Sequence, residues 1–181
     1  MQVIKDLAVI TNTHSKNGDL WNAHVQQIKK YMYQPHYFFT DKEPKKALGV
    51  TVVTYSKEDK FRTQFLKCLE SVDEEFCLYL NEDYLLYESP DIEKLREYVN
   101  LLKDNESLSF IRLAKGIDHF NIPYSSTLQY LDCRNPYFFS QTASLWRTSH
   151  LRAIHQHGPD LHIAGHKMEQ QFETAAADVC R

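Results

Sequence analysis

Residues 76–80, FCLYL, are apolar at five consecutive positions, and this run constrains the fold more than any other stretch of the chain. A strand with one wet face alternates apolar and polar side chains, whereas a continuous apolar run of strand length suits a central strand covered on both faces. Covering both faces with helices requires strands and helices to alternate along the chain, and they do. LAVITNT (7–13), HYFFTD (36–41), GVTVVTY (49–55) and LSFIRLA (108–114) are further strand candidates. Helical spacing aligns Leu20, Ala23, His24, Ile28 and Tyr31 in one intervening segment, and Phe61, Phe65, Leu66 and Leu69 in another. Ser56 and Asp59 resemble a capping box ahead of the second helix, and Ser89-Pro90 suits the opening of a third over 89–104. Residues 115–136 read as a long loop with a short strand at TLQYLD, and YFFSQTASLW (137–146) as a strand or turn. Helices follow around 148–156 and, past Gly158-Pro159, over about 167–179. The expected fold is a three-layer α/β/α sandwich around a mainly parallel, mixed sheet.

The chain of 181 residues, 43% hydrophobic, is sized for one core, so a single domain over 1–181 is expected. A net charge of −3 provides no broad attraction to nucleic acid or an anionic membrane. The apolar runs are strand-sized, far short of the roughly 20 residues of a membrane helix, and the N-terminus lacks the layout of a signal peptide. The expectation is a cytoplasmic protein with no nucleic-acid partner and no stable membrane insertion. Cys68, Cys77, Cys133 and Cys180 lack C-x-x-C spacing and read as reduced, mostly structural thiols. No Walker loop or G-x-G-x-x-G is present, which counts against ATPases and dinucleotide-dependent oxidoreductases.

In a parallel sheet the functional crevice lies at the carboxyl ends of the strands. Asn81, Glu82 and Asp83 fall where FCLYL emerges there. Carboxylates at that point are hard oxygen ligands for Mg²⁺ or Mn²⁺, which in turn grips a diphosphate. A polar strand end or surface turn is the plainer alternative, although Tyr84, Leu85 and Leu86 resume the apolar run at once. A second constellation follows Gly165. His166, Glu169 and Glu173 share one helical face, with parts for general-base work on an acceptor hydroxyl or for completing a metal site. Glu169 is the first candidate base and Glu173 the second, with Asp118 and His119 next; a solvated helix face is the alternative. His150, His155, His157 and His162 fit no zinc spacing.

The segments FRTQFLKCLESVDEEFCLYLNEDYLLYE (61–88) and YFFSQTASLWRTSHLRAI (137–154) resemble bacterial and viral glycosyltransferase-like proteins of the GT-A, nucleotide-diphospho-sugar transferase fold. In that family a strand ends in an E-D-Y or E-D-F variant of the D-x-D metal motif, and a later segment reads S-x-Q or S-Q, then Trp. The resemblance covers roughly residues 5–175. It departs at Asn81, which stands in the first acidic position. It implies a nucleotide-sugar donor, a glycan or other hydroxyl acceptor, Mn²⁺ or Mg²⁺ as cofactor, and Asp83, helped by Glu82, as metal and diphosphate anchor; His166 comes to the metal from the helical-face reading above. Among other donor-binding candidates, Thr11, Asn12 and Thr13 end the first strand, and Asp41 ends the second; capping and turn roles are the alternatives there. Arg62 resembles the basic residue such enzymes aim at the donor; a solvated helix charge is the commoner alternative. Gln141 and Trp146 belong to the family-like segment and suit hydrogen bonding and stacking to a sugar, with a place in the core the equal alternative for Trp146. Two other classes stay open: a catalytically weak nucleotide-sugar-binding module, and a metal-dependent phosphotransfer or hydrolytic enzyme.

Overall fold

The computed structural model describes residues 3–114, 122–133, 138–159 and 166–180, and of residues 166–171 only the backbone. In chain order the first half forms β1 (Leu7–Asn12), α1 (Trp21–Tyr31), β2 (His36–Thr40), β3 (Thr51–Thr54), α2 (Phe61–Leu69), β4 (Phe76–Asn81) and α3 (Ile92–Asp104). The second half forms β5 (Phe110–Arg112), β6 (Ile122–Pro123), β7 (Gln129–Tyr130), β8 (Ser144–Arg147), α4 (Thr148–His157) and α5 (His166–Val179). Six strands make one mixed sheet in the order β3-β2-β1-β4-β8-β5, with β8 antiparallel to both of its neighbours.

Residues 76–80 do lie between two covered faces, each at most 4% exposed. Phe76, Leu78 and Leu80, with Leu7 and Val9 of β1, pack against Ile28 of α1 and Leu95, Val99 and Leu102 of α3. The alternate residues Cys77 and Tyr79, with Ala8 and Ile10, pack against Phe65 and Leu69 of α2, Leu151 and Ile154 of α4, and Phe172 of α5. Period-two alternation therefore sorts every apolar side chain of the central strands onto one helical layer or the other.

Local chemistry moves two expected helix starts. Asp91, not Ser89, caps α3, its carboxylate accepting from the Lys94 amide at 2.9 Å. Ser56 and Asp59 close a separate turn, with Asp59 N donating to Ser56 O at 3.2 Å, and α2 begins only at Phe61. Within TLQYLD only Gln129 and Tyr130 are strand, paired with Ile122 and Pro123 in a small hairpin. A cavity of about 850 Å³ lies between β5 and that hairpin, lined by Tyr98, Arg112, Tyr124 and Tyr130 among others; Glu82 and Asp83 do not reach it. Among the described residues no helix is long and apolar enough to cross a membrane.

Candidate functional site

Because β1, β2 and β4 are parallel, their carboxyl ends open on one side of the sheet, and the register sets Asn12 of β1 beside Asn81 of β4. Both amides are half-buried there. Asn12 makes no side-chain hydrogen bond among the described residues, while Asn81 is fully engaged. Tyr79 Oη donates to Asn81 Oδ1 at 3.0 Å, and Asn81 Nδ2 donates to the Gln141 carbonyl at 3.0 Å. An aspartate cannot make that second bond when ionised, because it has no donor. The amide at position 81 thereby holds the Gln141 main chain at the crevice, a bond an ionised acid there would lose.

The two acids that follow play different parts. Glu82 is buried, 7% exposed, and its carboxylate accepts from the Asn17 side-chain amide, which tethers β4 to the turn after β1. Asp83 is exposed, and its carboxylate has no hydrogen bond or ion pair among the described residues. One acid builds the rim; the other points out of it.

Asp41, at the end of β2, is committed within the protein. It accepts from the Ser15 amide, from Ser15 Oγ at 2.8 Å and from Lys57 Nζ at 2.7 Å, with His14 Nδ1 3.7 Å away. Burial pushes the carboxyl pKa up, but the bonds from Lys57 and Ser15 outweigh it and hold the value down at about 2. Asp41 thereby fixes the turn that carries Asn17, and Asn17 fixes Glu82. Ser15, Asn17 and Lys57 were not foreseen from the sequence; Asn17 before Gly18 reads there only as a helix approach.

Several expected donor contacts are spent elsewhere. Thr11 is fully buried on the α1 side of β1, its hydroxyl between His24 and His36, so it lies under the crevice floor. Thr13 accepts from Trp21 Nε1 at 2.9 Å and holds Tyr55 Oη on its carbonyl at 2.7 Å. Arg62 Nη1 donates to the Gly158 carbonyl at 3.0 Å, joining α2 to the end of α4. Trp146 is 2% exposed and stacks on Phe110 with centroids 4.2 Å apart, so it is core and has no face for a sugar.

Helix α5 descends alongside the sheet. Phe172 meets Phe61, which opens α2 just after the carboxyl end of β3, whereas Cys180 reaches Ser109 at the opposite end of the sheet. The first turns of α5, carrying His166 and Glu169, therefore lie toward the crevice end. Their side chains are outside the described residues, as are Asp118, His119 and His162. Glu173 is half-buried beside Phe172. The remaining histidines do not gather: His150 Nδ1 bonds Ser109 Oγ at 2.8 Å, and His155 is buried against Phe65. Among the described residues no group of three or more His, Cys, Asp or Glu side chains is placed to hold a metal.

No protein-family model matches the chain, and no curated protein matches it in sequence. Solved structures match it in fold. Residues 1–349 of S. aureus TarS superpose with a TM-score of 0.62 at 15% identity, over 94% of this chain and 55% of that one. A longer S. aureus TarS structure gives 0.64 at 15% identity, over 96% and 33%. Mannosyltransferase PcManGT from Pyrobaculum calidifontis, in complex with GDP-Man and Mn²⁺, gives 0.58 at 10% identity, over 96% and 51%. At such identities the likeness is one of fold, and the fold is the α/β sandwich of the nucleotide-diphospho-sugar transferase, GT-A type expected above. The chain spans between a third and just over half the length of these structures.

Proposed function

We propose that the chain binds a nucleotide-sugar donor at the carboxyl ends of β1 and β4 and transfers the sugar to a hydroxyl acceptor. The observation that carries this reading is Asp83, an exposed carboxylate without a protein partner among the described residues, at the mouth of the central strand. A carboxylate left unpaired at the carboxyl end of β4, next along the chain to the residues that pair with Asn12, is suited to an external ligand. The donor set fits Mn²⁺ or Mg²⁺, which characteristically take one or two carboxylates and complete their shell with water and substrate phosphate. When bound, the ion neutralises the diphosphate leaving group. Asp83 would hold it, and Glu82, fixed by Asn17, would add a second hard oxygen.

Asn12 and the Asn81 segment then line the donor, and Asp41 acts at one remove by ordering the turn after β1. On the acceptor side the early turns of α5 carry Glu169, with Glu173 one turn further. In an inverting transfer the acceptor oxygen would bond to the sugar C1 as its proton passes to that carboxylate and the bond from C1 to the diphosphate oxygen breaks.

The engaged amide at Asn81, in place of an acid, favours one second reading: a module that binds the donor without transferring it. Nothing in the described residues brings His150 or His155 to the acidic turn, so the hydrolytic alternative gains no support. The test is thermal stability against a panel of nucleotide sugars with and without Mn²⁺. Ligand at about 100 times Kd stabilises by roughly 2.7 kcal/mol, a shift of about 5–10 °C for a chain of this size. Asp83→Asn is expected to remove the Mn²⁺-dependent part. Equal metal-dependent shifts in variant and parent would overturn the assignment, and donor binding with no transfer to any hydroxyl acceptor would leave the binding module.

A further inference from the structure

Beneath the acidic turn three polar side chains that the reading above does not use are buried together. Thr11 and His24 are 0% exposed and His36 is 6% exposed. Thr11 Oγ1 lies 2.9 Å from His24 Nε2 and 2.8 Å from His36 Nε2, and His24 Nδ1 lies 3.2 Å from the Tyr84 carbonyl oxygen.

The proton positions follow from what each atom can do. A carbonyl only accepts, so His24 carries its proton on Nδ1. With Nδ1 protonated for that carbonyl, Nε2 of the imidazole tautomer carries no proton. Its Nε2 is therefore an acceptor, and the Thr11 hydroxyl donates to it. That uses the only proton on Thr11, so His36 must donate to Thr11 from Nε2. The three bonds run in one direction, from His36 through Thr11 and His24 to the main chain of the turn.

We infer that His24 is a positioning residue for the acidic turn: its Nδ1–H holds the carbonyl of Tyr84, one residue past Asp83, and so fixes the main chain from which the exposed Asp83 carboxylate projects. Thr11 and His36 contribute by holding the ring in the tautomer that makes this bond. The turn needs such a support. Its own main chain supplies two bonds, Tyr84 N to Asn81 O and Leu85 N to Asp83 O, both at 3.1 Å, while Leu85 and Tyr87 are exposed. The meaning of this assignment rests on the reading that gives Asp83 to the donor.

The test uses two pairs of variants in the full chain. Asn places an amide donor near the position of imidazole Nδ1, and Gln places one near Nε2. His24→Gln is expected to speed amide hydrogen exchange over residues 82–87 about fivefold in the absence of ligand, and His24→Asn to stay near the parent. Thr11→Val, which removes the hydroxyl at nearly constant shape, is expected to act like His24→Gln, and Thr11→Ser like the parent. In parallel, the Mn²⁺-dependent thermal shift with UDP or GDP should weaken in His24→Gln and Thr11→Val and persist in the other two. Equal exchange within both pairs would overturn the inference and leave His24 as packing. A parent with no metal-dependent nucleotide shift would overturn the donor reading instead, and the exchange comparison would still decide whether His24 holds the turn.

Discussion

Gly158 offers a stringent check on how α4 and α5 meet. Its backbone, φ −69° and ψ 163°, is open to any residue, so alanine there carries no conformational strain. The added methyl would nevertheless fall inside the envelope of the Phe172 ring and 3.0 Å from the Ile154 carbonyl oxygen. Phe172 is 1% exposed and held among Phe61, Phe139 and His155, so the ring has nowhere to retreat. Forcing one more carbon into such a core costs about 1–3 kcal/mol, offset by about 0.4–1 kcal/mol because alanine restricts the unfolded chain. Gly158→Ala should therefore lose up to about 2.6 kcal/mol, or up to roughly 10 °C in Tm. Urea unfolding with an unchanged m-value measures it. Combining Gly158→Ala with Phe172→Leu should recover about 1 kcal/mol or more relative to the sum of the single variants, since the smaller side chain makes room for the methyl. A Gly158→Ala chain as stable as the parent, with no coupling to residue 172, would refute the described packing of α5 on α4.

Other expectations concern single groups. Trp146→Ala should cost about 3–5 kcal/mol in urea unfolding, as a core truncation does, whereas a sugar-stacking residue would weaken binding in a protein of normal stability. His155 has a folded pKa lowered to about 4 and His36 to about 3, both mainly by burial, so protonation favours the unfolded chain. Stability should be full above about pH 6.5 and fall below it by about 1.4 kcal/mol per pH unit for each histidine, and His155→Phe should flatten the slope. Asn81→Asp restores the acid of the motif but sets a carboxylate against the Gln141 carbonyl. It should lower stability at pH 7 by about 1–3 kcal/mol and recover on acidification, where the protonated acid can donate again. Glu169→Gln should cut transfer by about 10²–10⁴-fold with donor affinity unchanged, and Glu173→Gln less; full transfer in both would place the base elsewhere.

What could be read from the residues depended on whether the signal was local. FCLYL announced a strand covered on both faces, and the acids after it had to emerge where a parallel sheet binds ligands. The parity of β1 was also legible: Leu7, Val9 and Thr11 alternate with Ala8, Ile10 and Asn12, so Thr11 and Asn12 had to face opposite layers. Treating Thr11 to Thr13 as one group missed that alternation. For Trp146 the sequence left core and sugar contact equally open, because its burial follows from β8 entering antiparallel between β4 and β5, and no local pattern shows that insertion. Asp41, Ser15, Lys57, Asn17 and Glu82 are joined across as many as 65 positions of sequence, so each reads alone as an ordinary turn residue.

The place of β8 in the sheet also bears on how the chain is made. Among the described residues β5 has no strand neighbour in the sheet except β8, and its Ile111 pairs with Leu145, which leaves the ribosome 34 residues later. At usual synthesis rates that delay is on the order of seconds. Through it, β5 has nothing to pair with, and the edge of β4, with Phe76 and Leu78 the residues β8 will register against, stands open to other chains. When β8 emerges it closes the edge of β4 and one edge of β5 at once, so the exposure of these two edges during synthesis is concentrated in the interval between residues 112 and 144.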